Sequence, residues 1–115
     1  MIKKQPIAFV TQGSGPKLVL FHGGFGCRHH WVKNIEALAE QFTVYAIDHP
    51  GYGESLGVSS EMSGPEYLDY FYLALQDMFP AHEPLKFAGF SFGGAIAANM
   101  AARMGRRISH LLLIS

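Results

Sequence analysis

Cysteine is nearly absent from this sequence of 115 residues: Cys27 stands alone. No intrachain disulfide can form, and a reducing cytoplasmic compartment is the simplest expectation. Charge is scarce too. Charged residues make up 16 % of the chain and cancel to a formal net charge of zero. The basic residues Lys3, Lys4, Arg103, Arg106 and Arg107 form only short clusters, nothing like an electrostatic footprint for nucleic acid or anionic lipid. Long apolar runs are missing as well. The most apolar stretch, 87–102, contains Ser91 and Asn99 and falls short of the ~20 apolar residues a bilayer span requires. Lys3 and Lys4 carry charge as a signal peptide does, but Gln5, Pro6, Thr11 and Gln12 break up any apolar h-region. What is present is 49 % hydrophobic residues, enough to bury one core in one domain and too apolar for disorder. The expected partner is a small molecule, not nucleic acid or membrane.

Strand-like and helix-like segments alternate along the chain, with turn residues at most junctions and no internal repeat. Residues 5–10 read as a strand, 17–21 as a short strand buried on both faces, and 43–47 as the next. Trp31, Ile35, Leu38, Ala39 and Phe42 draw one apolar stripe, which predicts a helix. Ser63-Gly64-Pro65-Glu66 has capping-box spacing with Pro in the first turn, so a second helix starts there. Its core stripe runs through Leu68, Phe71, Tyr72, Leu75, Met78 and Phe79 until Pro80 stops it. Residues 85–90 form a further strand, 92 to about 104 an Ala-rich helix with Gly105 placed for a C-cap, and 110–114 a last strand. Repeated strand-helix-strand steps imply right-handed crossovers, hence an α/β fold with a mostly parallel sheet and helices on both faces.

Chemistry concentrates in glycine-rich segments at strand ends. Gly89-Phe90-Ser91-Phe92-Gly93-Gly94 lies between a predicted strand and a predicted helix, the setting that gives G-x-S-x-G its meaning. A sharp turn there exposes the Ser91 hydroxyl, and Gly89 and Gly93 supply the lack of bulk that such a turn needs. The helix that follows aims its dipole and free N–H groups at developing negative charge. His22-Gly23-Gly24-Phe25-Gly26 follows a strand at the same carboxyl edge, where a loop N–H paired with that of Phe92 suits an oxyanion. His22 is expected to stabilise this loop rather than transfer protons. Asp48-His49-Pro50-Gly51-Tyr52-Gly53-Glu54-Ser55 ends another strand, and Asp48 is expected to tie this turn through backbone N–H groups, with a catalytic Asp48 as the alternative. His29 and His30 are adjacent, where neighbours do not share a helix face, and no Cys, Asp or Glu follows at ligand spacing, so neither a metal nor another cofactor is expected.

In this order and on these elements, the three segments resemble the α/β-hydrolase fold family: an HG-x-x-G loop, a D-x-P-G-x-G-x-S turn and a G-x-S-x-G elbow. The resemblance covers nearly the whole chain. It implies a serine hydrolase acting on a carboxylic ester or related acyl substrate, with Ser91 as nucleophile and an oxyanion hole donated by Phe92 and Gly24, or Phe25 in place of Gly24. His22, Gly23, Gly89 and Gly93 shape the site in this reading. The family orders its triad Ser, then Asp or Glu, then His, yet residues 92–115 contain no acid and only His110. His110 opens a predicted strand at the amino edge, away from the site. Residues 1–115 are therefore expected to be the N-terminal portion of a single α/β-hydrolase domain, completed by a missing C-terminal half or a second chain. The alternatives are a non-catalytic or partner-dependent member of the fold, and a nucleotide-binding module built on Gly24-x-Gly26 and Asp48. The second is weakened by histidine at position 29, where a third glycine belongs.

Overall fold

The computed structural model describes residues 5–24 and 26–115. Its strands are β1 (Phe9–Gln12), β2 (Lys17–Phe21), β3 (Thr43–Ile47), β4 (Leu85–Phe90) and β5 (Ile108–Ile114). They form a sheet in the order β1-β3-β2-β4-β5. β1 runs antiparallel to β3, and the remaining neighbours are parallel, which makes the sheet mostly parallel. The helices are α1 (Ile35–Leu38), α2 (Gly64–Met78) and α3 (Phe92–Met104).

Side chains alternate across each strand, and the core divides accordingly. Val19, Phe21, Ile47, Leu85 and Phe87 pack with Phe71, Leu75, Ile96 and Met100 of α2 and α3. Leu18, Leu20, Val44, Ala46 and Ala88 face the other way, against Trp31, Ile35 and Leu38. Helices therefore cover both faces, as the apolar strands require. α2 begins at a formed capping box: Ser63 Oγ accepts from the Glu66 N–H at 3.2 Å and Glu66 Oε1 from the Ser63 N–H at 3.2 Å.

Three boundaries differ from the expectations. The first strand is Phe9–Gln12 rather than 5–10, because residues 5–8 spend their backbone groups on the turn after β3. The Ala8 N–H donates to Ser55 Oγ at 2.8 Å, and the Asp48 and Leu56 N–H groups donate to the Ala8 and Gln5 carbonyls at 2.8 Å. The helix expected from Trp31 to Phe42 breaks into a 3₁₀ turn, Arg28–Trp31, and the single turn of α1; the apolar stripe still meets the sheet. β5 starts at Ile108, so His110 is its third residue rather than its first, and it pairs with Lys86 near the amino end of β4. No helix among the described residues is long and apolar enough to cross a membrane.

Candidate active site

Strand register assembles the candidate site. Phe21 lies beside Ile47 on one side and Gly89 on the other, so the chain leaves β2, β3 and β4 at one level of the carboxyl edge. His22, Asp48 and Ser91 thus emerge together.

Ser91 caps α3 with φ 56° and ψ −120°, and it is the one non-glycine residue with positive φ among the described residues. That conformation turns the chain sharply and leaves Ser91 exposed. The surrounding glycines are required by space. A Cβ on Gly89 would stand 2.5 Å from the Gly93 carbonyl oxygen and 2.6 Å from Gly94 Cα, and one on Gly93 would overlap the Phe21 and His22 carbonyl oxygens. Phe92 is the first residue of α3, where helix geometry leaves its N–H without an intrahelical partner.

Gly24 meets this helix start: a Cβ built on it would lie 3.5 Å from Phe92 Cβ. The two candidate oxyanion donors are therefore neighbours. Phe25, the alternative donor, lies outside the described residues.

His22 is buried and both its ring nitrogens are engaged. Nδ1–H donates to the Gly23 carbonyl at 2.8 Å, and Nε2 accepts the His49 N–H at 3.0 Å. Burial lowers its pKa, which keeps the ring neutral in the tautomer these bonds demand. In a trans peptide the C=O and the following N–H point in opposite directions. By holding the Gly23 carbonyl, His22 therefore directs the Gly24 N–H away from itself. The Gly26 N–H reinforces this at 3.2 Å.

Asp48 is fully buried. It accepts from the Arg28 N–H at 2.6 Å, the Glu54 N–H at 2.9 Å and the Arg28 guanidinium. Its neighbour Gly53, at φ 52°, has no room for a Cβ against the carboxylate. Asp48 thus ties the turn as expected and also reaches Arg28, a partner the sequence did not single out. Both its oxygens are thus engaged, by the turn and by Arg28.

A cleft of about 380 Å³ opens beside Gly24 and Phe92, walled by His49, Tyr52, Met62 and Tyr67. Among the described residues no Asp, Glu, Lys or Arg lines it. Tyr67 is fixed by donating its hydroxyl to the Pro50 carbonyl at 2.7 Å. Among the described residues no group of His, Cys, Asp and Glu is arranged to hold a metal ion.

A family model described as the alpha/beta hydrolase fold matches residues 16–115. Pimeloyl-[acyl-carrier protein] methyl ester esterase of Vibrio parahaemolyticus is 33 % identical over 103 residues, covering 90 % of this chain and 38 % of that protein. The dihydrolipoyllysine-residue acetyltransferase component of the acetoin cleaving system of Pseudomonas putida is 38 % identical over 104 residues, covering 88 % and 27 %. Among solved structures, carboxylesterase CesB of Bacillus subtilis superposes with a TM-score of 0.80 at 27 % identity, covering 94 % of this chain and 38 % of that one. The chain thus spans less than two fifths of each of these proteins.

Proposed function

Because this chain belongs to the alpha/beta hydrolase fold family, we propose that it carries the nucleophile and the oxyanion hole of a serine esterase. The observation that carries the reading is the Ser91 main chain, held at φ 56° at the head of α3 with Gly24 against Phe92. In this mechanism Ser91 Oγ attacks the ester carbonyl carbon and gives its proton to a general base. The carbonyl oxygen becomes the oxyanion, and the Phe92 and Gly24 N–H groups donate to it, each worth about 3 kcal/mol in such sites. The alkoxide then leaves with a proton, and water releases the acyl group from Ser91.

Neither buried histidine suits the base: both nitrogens of His22 are engaged, and burial beside His22 and His30 holds His49 neutral. Base and acid are therefore assigned to polypeptide beyond the segment matched here, since the relatives are much longer than that segment. A methyl ester esterase and a carboxylesterase among those relatives favour a carboxylic ester as substrate. The cleft beside Phe92, whose described lining carries no charged side chain, suits a neutral portion of it.

The test is a fluorophosphonate probe together with a p-nitrophenyl ester, applied to the natural protein and its S91A variant. Labelling and turnover should both vanish in S91A at unchanged melting temperature. Turnover that persists in S91A rejects the assignment. Residues 1–115 alone should label much more slowly than the natural protein.

A further inference from the structure

We propose that His30 is a positioning residue of the oxyanion hole, an inference that rests on the esterase reading above. Its Nδ1 accepts the Gly23 N–H at 3.1 Å. The Gly23 carbonyl is held separately, by His22 Nδ1–H at 2.8 Å and the Gly26 N–H at 3.2 Å. Both peptide planes that flank Gly23 are thereby locked, one by each histidine. Glycine needs such a lock, because without a Cβ its φ and ψ turn freely. A flip of the plane between Gly23 and Gly24 would point a carbonyl dipole at the developing oxyanion in place of an N–H. His30 fixes the plane before Gly23, so the bonds to the Gly23 carbonyl act against an anchored peptide rather than one that can turn about the glycine φ.

His30 is itself fixed by what it touches. Its ring covers Gly26 so closely that any side chain there would overlap it. It also meets Phe90 edge-on, with centroids 6.0 Å apart, and His22 edge-on at 6.0 Å. Phe90 immediately precedes Ser91, so the ring joins the glycine loop to the strand end that presents the hydroxyl. With the Gly23 N–H taken by His30 and the Gly26 N–H by the Gly23 carbonyl, the Gly24 N–H is the loop donor left for the substrate among the described residues. His30 touches no reacting atom in this arrangement. It acts through the loop, and its effect belongs on kcat rather than on KM.

Two substitutions in the natural protein separate the ring from its acceptor. H30F keeps the contacts with Phe90 and Gly26 and loses the acceptor, whereas H30N offers Oδ1 near the place of Nδ1. Steady-state kinetics on a p-nitrophenyl ester should show kcat about tenfold lower in H30F, less than the loss of a whole oxyanion donor, with KM unchanged and most of the loss recovered in H30N. Amide exchange measured by NMR should show the Gly23 N–H exchanging about tenfold faster in H30F, and protected again in H30N. Unchanged kcat in H30F, or a loss expressed in KM alone, overturns the role of His30 while leaving Ser91 in place. Absence of Ser91-dependent turnover in the unaltered protein overturns the esterase reading, and this inference with it.

Discussion

His49 stacks on His22 with ring centroids 3.7 Å apart and planes inclined by 22°, while its own N–H donates to His22 Nε2. Burial lowers the pKa of His22, and burial together with the His22 and His30 rings lowers that of His49 to about 2. An unfolded chain titrates both near 6.5. Above that pH neither state binds the protons, so stability is at its full value. Below it the unfolded chain takes up protons that the folded chain refuses. Stability therefore falls as pH drops below about 6.5, with His49 contributing about 1.4 kcal/mol per pH unit and His22 acting in the same direction.

Replacing His49 isolates its share. His49 Nε2 is buried without a hydrogen-bond partner among the described residues, and Phe21 and Phe71 surround the ring. H49F should thus raise stability at pH 7 by about 1 kcal/mol, because it removes an orphaned polar atom. It should also reduce the slope of stability between pH 6 and pH 5 by about one histidine's worth. Urea unfolding at stepped pH reads both effects, and an unaltered slope would exclude His49 as the titrating group.

Ser91 and its flanking glycines predict opposite responses to small substitutions. A non-glycine residue at φ 56° stores strain of about 1–3 kcal/mol. S91G relieves it and should raise stability by about 1 kcal/mol, while S91A, which keeps the Cβ, should remain near the unaltered protein; neither should turn over ester. At Gly93 the added methyl runs into two backbone oxygens that cannot move aside. G93A should therefore cost about 3 kcal/mol. Equal unfolding midpoints for S91G and S91A would argue that the elbow is unstrained.

The elements legible in the sequence are those whose determinants are local. β2, β3 and β4 match their expected limits because each is an apolar run bounded by turn residues and buried on both faces. α2 starts where the Ser63 and Glu66 spacing says it must. The misses have distant causes. Residues 5–8 are pulled off the ladder by bonds to Asp48, Ser55 and Leu56. The Trp31 to Phe42 stripe specifies which side meets the sheet, but not that the helix is continuous. The glycine loop and the elbow announced themselves through motif and context. His30 did not, since its bond to the Gly23 N–H depends on how the intervening loop folds back, which no periodicity in the sequence specifies.

The link from Arg28 to Asp48 was equally invisible, and it bears on how the turn after β3 is held. Asp48 is wholly buried, and its oxygens meet the Arg28 and Glu54 N–H groups and the Arg28 guanidinium. Arg28 also reaches Glu54 at 2.7 Å, but the Glu54 side chain is 72 % exposed. Exposed pairs contribute about 0–1 kcal/mol, whereas breaking a buried pair costs about 3–5 kcal/mol. D48A should therefore destabilise by about 3–5 kcal/mol, and E54A by less than about 1 kcal/mol. R28A falls between, since it strands a buried carboxylate that still has the backbone N–H groups of residues 28 and 54. If Asp48 and Arg28 act as one unit, the double variant R28A/D48A should lose less than the two single losses together, by about 1–3 kcal/mol. Additive losses in chemical denaturation would mean that Asp48 holds the turn through the backbone N–H groups alone, with the guanidinium contributing only packing.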